Sequence, residues 1–305
     1  MEISVISPVY GCKESLRELY VRTKSTLEKI CDSFEIIFVN DNCPQNSWEE
    51  IAKIAKEDKC VKAIKLSRNF GQHYAITAGV DYSSGNYVVI MDCDLQDKPE
   101  ELGKFYAKAK EGYDIVYGRR VERQDSFFKA YTSKLFYSVL EYFTDFEHDH
   151  TIGNYGIFSR KTIEAVKSLK ERSRDFLLLV KIVGFKSTKI DIEHVERKYG
   201  ESSYTLSKMI DLATDSIVAH SNKPLKLIIK LGLFISFLSL IVAFSLVIAH
   251  FTYGFSVEGW TSLMVSTFFL FGVLFGILGT IGIYIGKIFD EVKNRPLYIV
   301  DEVIN

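Results

Sequence analysis

The sequence predicts an α/β protein with a mostly parallel sheet, followed by an amphipathic helix and a two-helix transmembrane hairpin. Two observations carry this prediction. Strand-like and helical stretches alternate over residues 1–120, which is typical of βαβ units. Two uncharged apolar runs then lie near the end of the chain, and each is long enough to cross a hydrocarbon core.

The alternation consists of short β-type runs separated by amphipathic segments. Helices are predicted to begin at Ser15, Ser47 and Pro99, and Ser47 with Glu50 resembles a capping box. Ligands of a parallel sheet bind beyond the carboxyl ends of its strands, so the polar segments that follow the strands should meet in one crevice. The strand-like runs are residues 3–10, 35–41, 61–67, 87–92 and 114–118. The polar segments are PVY (8–10), NDNC (40–43), SRNF (67–70) and DCDLQD (92–97).

Residues 125–203 complete the predicted domain, which we place at 1–203. A long helical stretch leads to an acidic, histidine-containing loop at 145–150, and two further strands and two helices follow. Residues 204–222 carry an apolar stripe at helical spacing, which indicates an amphipathic helix lying on the membrane surface. The alternative is a helix that packs against the soluble domain.

Two uncharged runs, Leu231–Ala249 and Gly259–Gly286, indicate the transmembrane hairpin. Buried helices of a globular core are the alternative. Lysine and arginine residues flank the pair, and the short link between the runs carries none. The positive-inside rule therefore places the domain and both termini in the cytoplasm, on a multi-pass protein of the inner (cytoplasmic) membrane. The predicted segments are the hairpin at 223–287, its helices at about 228–250 and 260–286, and a tail at 288–305.

The second apolar run carries a stripe of small residues. Glycines recur there every three or four residues, which gives a face suited to close packing against another helix. That partner is either the first helix of the hairpin or a second subunit, so the sequence permits a homo-oligomer. The glycines are Gly272, Gly276, Gly279, Gly282 and Gly286.

Composition excludes several classes of protein. The net charge is −1, so no overall basic field points to nucleic acid. The five cysteines form no CxxC pair, which favours reduced thiols of a cytosolic compartment over a disulfide scaffold or a zinc site. The first residues enter a strand pattern at once, without the basic and apolar regions of a signal peptide.

The fourth strand-like run ends in an unusual concentration of carboxylates. If the chain stays extended, Asp92, Asp94 and Gln96 point to one side, and their oxygens suit Mg²⁺ or Mn²⁺. A solvated acidic turn is the alternative. Asp97 is better interpreted as the N-cap of the next helix, with Glu100 three residues on, than as a metal ligand. Neither GxxxxGK[ST] nor GxGxxG occurs, so the sequence favours a nucleotide diphosphate held by metal and side chains.

Taken together, these motifs resemble those of family 2 glycosyltransferases of the GT-A fold. The narrower resemblance is to the polyprenyl-phosphate glycosyltransferases, which include dolichol-phosphate mannose synthase and the bactoprenol-phosphate glucosyltransferases. It covers essentially the whole chain. The segments that carry it are SPVYGCKESL, EIIFVNDNCPQNS, LSRNFGQHYAITAG, VVIMDCDLQDKPEE, DIVYGRR, YTSKLFY, RKYGESSY and NRPLYIV.

The resemblance implies roles for individual residues. Asp92, Asp94 and Gln96 would bind the metal, with Asp94 and Arg119 as the catalytic residues. Arginines after the fifth strand suit a diphosphate or a lipid phosphate. The nucleotide pocket would include Pro8, Tyr10 and Asp41, and further substrate-binding candidates are Arg68, Asn69, Arg119, Arg123, Lys134, Arg197 and Ser202. Arg120 lies in the same basic cluster as Arg119 and Arg123, and Arg119 is the favoured functional residue of that cluster.

The resemblance also implies a reaction. A UDP- or GDP-linked sugar would be transferred, with inversion, to a membrane polyprenyl phosphate. Many relatives carry aspartates where this chain has Thr151 and Asn154, which puts a general base in doubt. A phosphate acceptor is mostly dianionic at pH 7 and needs none, whereas a sugar hydroxyl does. One alternative is transfer to a lipid-diphosphate oligosaccharide, with a base from the 145–150 loop. The other is a non-catalytic, membrane-anchored nucleotide-sugar binding protein.

Overall fold

The computed structural model describes residues 1–120, 141–143, 149, 151–193, 217–218, 221–253 and 259–305. The chain divides into two compact units. The first comprises residues 1–134, 148–203 and 295–305, and the second comprises residues 135–147 and 204–294. The last residues of the chain therefore belong to the same unit as the first.

The first unit contains an eight-stranded mixed sheet, which confirms the predicted α/β class. Its strand order is β7-β5-β6-β4-β1-β2-β3-β8. The pairs β1–β2, β1–β4, β2–β3 and β5–β7 are parallel, while β6 runs antiparallel to β4 and β5, and β8 runs antiparallel to β3. The strands are β1 Ile3–Val9, β2 Phe34–Asn40, β3 Val61–Leu66, β4 Tyr87–Ile90, β5 Ile115–Arg120, β6 Ile152–Ser159, β7 Ser187–Ile192 and β8 Val300–Ile304.

Helices cover both faces of this sheet, which is why β1 and β2 are buried along their full length. Successive strand residues contribute to opposite faces: Val5 belongs to the apolar cluster with Leu19 of α1, and Ile6 to the cluster with Ile76 of α3. The helices are α1 Leu16–Ile30, α2 Ser47–Glu57, α3 Gln72–Tyr82, α4 Leu102–Lys110, α5 Arg160–Ser168, α6 Phe176–Val183, α7 Lys223–Tyr253 and α8 Trp260–Val292.

Two features of the helices differ from the sequence prediction. Helix α3 was not predicted, because Ala75–Val80 is buried on every side and shows no amphipathic period. The capping box at Ser47 is wrong. The N-cap of α2 is Asn46, in the left-handed conformation at φ 54°, and the Ser47 hydroxyl lies 3.0 Å from Cys43 Sγ.

The C-terminal strand β8 closes the edge of the sheet beside β3. Asn305 donates from Nδ2 to the carbonyls of Ala55 and Val61, at 2.6 and 2.8 Å. Lys65 Nζ lies 2.6 Å from Asp301 Oδ2. These contacts cover backbone groups that an edge strand would otherwise expose. The predicted cytoplasmic tail thus contributes a strand to the sheet.

The second unit contains two long apolar helices, α7 and α8. Within the described residues, one segment is long and apolar enough to cross a membrane, namely Ser266–Val292. Its mean hydropathy is 2.3, and no residue of its most apolar 18-residue stretch is buried. The predicted 204–222 helix lies outside the described residues, apart from 217–218 and 221–222. A Cβ added at any of the five stripe glycines would meet nothing within 4 Å beyond the local helix backbone, among the residues that the structure describes. The homo-oligomer stays a prediction.

A pair of glycine substitutions tests the packing of α3 on the sheet. A Cβ at Gly79 would overlap Ile6 Cγ2 and lie 3.3 Å from Val39 Cγ2, whereas a Cβ at Gly103 in α4 would lie 3.7 Å from Ile30. We expect Gly79→Ala to destabilise the domain by about 1–3 kcal/mol through overpacking. Gly103→Ala should be neutral or stabilise by up to about 1 kcal/mol, because alanine favours the helix. Denaturant unfolding in detergent measures both, and equal effects would contradict this packing.

Candidate active site

The four polar segments at the strand ends meet in one crevice, as the sequence predicted. Gly11 N–H, after β1, donates to Cys43 Sγ, after β2, at 3.1 Å. Asp41 accepts hydrogen bonds from the backbone of the loop after β3. Gln72 Nε2, at the start of α3, donates to Asp92 Oδ1 at 2.7 Å. The convergence follows from the parallel arrangement of β1–β4, whose carboxyl ends share one edge.

Asp41 is buried and fixes the entry to α3. Its two oxygens accept from Phe70 N–H at 2.7 Å and from Gly71 N–H at 2.8 Å. Burial raises the pKa of the Asp41 carboxyl, and these two hydrogen bonds oppose that rise. Gly71 has φ +105°, a conformation that favours glycine. Both carboxylate oxygens of Asp41 thus accept hydrogen bonds from the protein backbone. The role of Asp41 in a nucleotide pocket stays a prediction.

Three carboxyl groups crowd the turn after β4. Burial, together with the charges of Asp97 and Asp94, raises the pKa of Asp92 to about 7, against the lowering effects of Arg120 and Asn154. Asp94 Oδ1 accepts from the Gln96 N–H at 3.2 Å, which stabilises the turn. The repulsion suggested by the sequence is therefore present in the fold.

Asp97 is not a helix cap. The N-cap of the 3₁₀ turn Pro99–Glu101 is Lys98, and it makes no side-chain cap hydrogen bond. Asp97 is instead fully buried, with Oδ1 3.2 Å from Nη2 of Arg120, while Oδ2 has no hydrogen-bond partner among the described residues. The cap interpretation failed because Pro99 begins the turn one residue later than a cap at Asp97 would require.

The two arginines at the end of β5 point in different directions, as neighbouring residues of a strand do. Arg119 is exposed, and its Nε lies 2.6 Å from Asp191 on β7. Arg120 reaches Asp97, and a Cβ at Gly153 would lie 2.9 Å from its Nη2. Arg120, rather than Arg119, therefore supplies the positive charge beside the carboxylates, and the catalytic role of Arg119 stays a prediction.

The other predicted site residues are spread around the crevice or lie beyond the described chain. Pro8 is buried within β1, and Tyr10 is 54% exposed just after it. Arg68 and Asn69 are exposed, and the Arg68 guanidinium lies 4.1 Å from the centre of the Phe70 ring. Predicted residues outside the described part of the chain are Arg123, Lys134, Arg197 and Ser202.

The donors at the end of β4 fit a divalent cation. Asp92 and Asp94 supply hard oxygens whose mutual repulsion such an ion would relieve. Among the residues that the structure describes, no three histidine, cysteine, aspartate or glutamate side chains form a complete metal cage. Mg²⁺ is commonly held by one or two carboxylates, with phosphate and water oxygens completing its shell. The donor set therefore suits an ion that a nucleotide diphosphate helps to bind.

Asp149 is the described carboxylate of the acidic loop, and its surroundings make it a poor base. Burial alone would raise its pKa, but hydrogen bonds from Lys189 and Thr151 outweigh that effect and hold the pKa well below its ordinary value. Lys189 Nζ lies 2.7 Å from Oδ2, and the Thr151 hydroxyl lies 2.5 Å from Oδ1.

Two of the five cysteines do not remain thiols. Cys12 and Cys93 form a disulfide, with Cα atoms 6.1 Å apart. The bond joins the loop after β1 to the acidic turn, and the Ser15 hydroxyl donates to the Cys93 carbonyl at 2.6 Å. The expectation of reduced thiols is wrong for this pair, because 81 residues separate it and no sequence spacing marks it.

Sequence reasoning missed Gln72 and underrated Arg120 and Asn154. Gln72 was missed with the rest of α3. The strand pairing would have identified Asn154. β4 and β6 are antiparallel with Ile90 opposite Gly156, so the position opposite Asp92, two residues after Ile90, is Asn154, two residues before Gly156.

The pKa of Asp92 predicts the pH dependence of stability in the metal-free protein. The folded-state value of about 7 exceeds the ordinary value of 3.8, so between these pH values the folded state binds more protons than the unfolded state. Stability should therefore fall as the pH rises from about 4 to 7. Asp92→Asn should reduce this slope, and Mn²⁺ should raise the melting temperature more at pH 8 than at pH 5. Thermal unfolding in EDTA or Mn²⁺ measures both, and an unchanged slope in Asp92→Asn would contradict the assignment.

The buried pair of Asp97 and Arg120 predicts an asymmetry between the two arginines. Arg120→Ala leaves a buried carboxylate without its counter-charge and should cost about 3 kcal/mol. Arg119→Ala breaks an exposed pair and should cost less than about 1 kcal/mol. The double variant Asp97→Asn/Arg120→Gln should recover much of the loss. Denaturant unfolding compares the three, and equal losses for the two single variants would refute the burial argument.

Comparison with known proteins agrees with this architecture. The sequence matches the family described as Glycosyl transferase family 2 over residues 4–174. It is 39% identical over 303 residues to Uncharacterized glycosyltransferase YkcC of Bacillus subtilis, covering 99% of this chain and 94% of that one. It is 34% identical over 310 residues to Undecaprenyl-phosphate 4-deoxy-4-formamido-L-arabinose transferase of Proteus mirabilis, covering 99% and 94% respectively.

A solved structure shows the same fold. The fold resembles that of glucosyl-3-phosphoglycerate synthase from Mycobacterium tuberculosis, solved with Mn²⁺, uridine diphosphate and phosphoglyceric acid. The TM-score is 0.50 at 14% identity, covering 72% of this chain and 76% of that one. These comparisons confirm the family that the motifs indicated. The chain belongs to glycosyl transferase family 2 and is a glycosyltransferase of the GT-A fold.

Proposed function

We propose that this glycosyltransferase moves a sugar from a UDP- or GDP-linked donor to a membrane polyprenyl phosphate, with inversion at the anomeric carbon. The observation that carries the proposal is the crowded pair Asp92 and Asp94 in the crevice at the strand ends. The Proteus mirabilis relative supports the acceptor, because its name specifies undecaprenyl phosphate and the alignment covers nearly all of this chain.

In this proposal Asp92 and Asp94 hold Mg²⁺ or Mn²⁺, and Gln96 extends the site without adding charge. The ion supplies charge stabilisation for the departing nucleoside diphosphate. Asp97 and Arg120 lie beneath these ligands as a buried ion pair, which limits the negative charge of the turn. Tyr10, Arg68 and Asn69 are exposed at the ends of β1 and β3, where a nucleotide would bind.

The polar groups near β6 favour an acceptor that needs no general base. A phosphate monoester is already mostly dianionic at pH 7, whereas a sugar hydroxyl must lose a proton to a base. Asp149 is engaged by Lys189 and Thr151, and Asn154 carries an amide in place of a carboxylate. Neither is suited to accept a proton.

The membrane would present the acceptor to the domain. We propose that α7 and α8 form the hairpin and that the domain and both termini lie on the cytoplasmic face of the inner membrane. The basic residues at the outer ends of the two helices support this orientation, and they are Lys223, Lys226, Lys230, Lys287, Lys293 and Arg295.

A transfer assay tests the proposal. The purified protein is incubated with Mn²⁺, undecaprenyl phosphate and each of a panel of UDP- and GDP-sugars. The wild type should form a glycosyl monophosphate lipid with inverted anomeric configuration. Asp94→Ala should lose at least about 100-fold in rate, equivalent to roughly 3 kcal/mol of transition-state stabilisation. Asp32→Ala, an exposed aspartate outside the crevice, is the matched control.

Two results would contradict the proposal. Full activity of Asp94→Ala would refute the role of the acidic pair. Transfer only to lipid-diphosphate oligosaccharides, or nucleotide-sugar binding without turnover, would refute the acceptor or the activity.

A further inference from the structure

Two neutral amides from different parts of the fold lie beside the metal-binding candidate Asp92. Gln72 Nε2, in the first residue of α3, donates to Oδ1 at 2.7 Å. The β4–β6 register places Asn154 opposite Asp92, and the Asn154 amide lowers the pKa of that carboxyl. Asp97, Asp94 and Arg120 supply the charges around this carboxyl.

Neutral donors suit this position for an electrostatic reason. A lysine or arginine in contact with Asp92 would orient the carboxylate, but its positive charge would oppose the arrival of a cation. An aspartate or glutamate would add to the existing repulsion. An amide N–H fixes the direction of the carboxylate and leaves its charge available, as outer hydrogen-bond donors do in metal sites.

Gln72 is itself fixed from the opposite side of β1. Asp41, at the end of β2, accepts from the N–H groups of Phe70 and Gly71, the two residues that precede Gln72. The Gly71 carbonyl then accepts from Ala75 N–H at 3.1 Å, in the first turn of α3. A continuous set of hydrogen bonds therefore runs from β2 through the start of α3 to the end of β4.

We infer that Gln72 is a positioning residue for Asp92, assisted by Asn154, and that Asp41 holds Gln72 in place. Gln72 would set the affinity for the divalent cation without contacting the sugar or the acceptor. This inference rests on the proposed function in one respect, which is that a divalent cation binds at Asp92.

Manganese binding tests the inference without any acceptor. Free Mn²⁺ is titrated by electron paramagnetic resonance against the full-length protein in detergent, with Mn²⁺ alone and with Mn²⁺ plus UDP or GDP. Gln72→Ala should weaken Mn²⁺ binding about 10- to 100-fold, as loss of an outer donor usually does. Asn154→Ala should weaken it in the same direction. Asn86→Ala, an exposed amide at the other end of the β4 segment, is the matched control and should bind like the wild type.

A second readout separates positioning from general damage. Saturating Mn²⁺ should restore most of the transfer rate of Gln72→Ala but not that of Asp94→Ala. Without metal, the melting temperature of Gln72→Ala should stay close to that of the wild type. Mn²⁺ affinity of Gln72→Ala within twofold of the wild type would overturn the inference, as would a wild type without a Mn²⁺ site. Weakened Mn²⁺ binding in Gln72→Ala together with no transfer to undecaprenyl phosphate would uphold the inference and refute the proposed acceptor.

Discussion

Repulsion between the carboxyl groups of Asp92, Asp94 and Asp97 is the constraint around which the crevice is arranged. The three groups follow a buried strand within six residues, and burial raises the pKa of Asp92 to about 7. Two groups of neighbouring side chains surround these carboxylates. Arg120 forms an ion pair with Asp97, and the neutral amide of Gln72 donates a hydrogen bond to Asp92 without adding charge. The charge left at the surface of the crevice is what a divalent cation would neutralise.

The sheet makes this arrangement possible because of its strand order. Placing β1 between β2 and β4 brings the loops after these strands together, and the mixed pairing with β6 puts Asn154 opposite the end of β4. The same loops are then joined by the Cys12–Cys93 disulfide and by Asp41, which accepts hydrogen bonds from the backbone just before α3. Strand β8 closes the far edge, so the unit that carries the crevice is completed only by the last residues of the chain.

The features that the sequence predicted depend on local pattern. Continuous apolar runs located β1 to β5 closely, and the polar residues after them identified the crevice and the acidic turn. Helix α3 was not predicted, because burial on all sides removes the amphipathic period from its sequence. Choosing Arg120 over Arg119 required the side-chain directions at the end of β5. The ion pair of Asp97 with Arg120, 23 positions away, has no local signature in the sequence. The disulfide is likewise a product of tertiary proximity.

The central claim is that Asp92 and Asp94 bind a divalent cation in this crevice together with a nucleotide diphosphate. Anomalous diffraction at the manganese edge, from crystals grown with Mn²⁺ and UDP or GDP, tests it most directly. We expect one strong anomalous peak within ligand distance of both carboxylates, with diphosphate oxygens completing the shell. A nucleotide bound in the crevice without that peak, or a peak at another site, would contradict it.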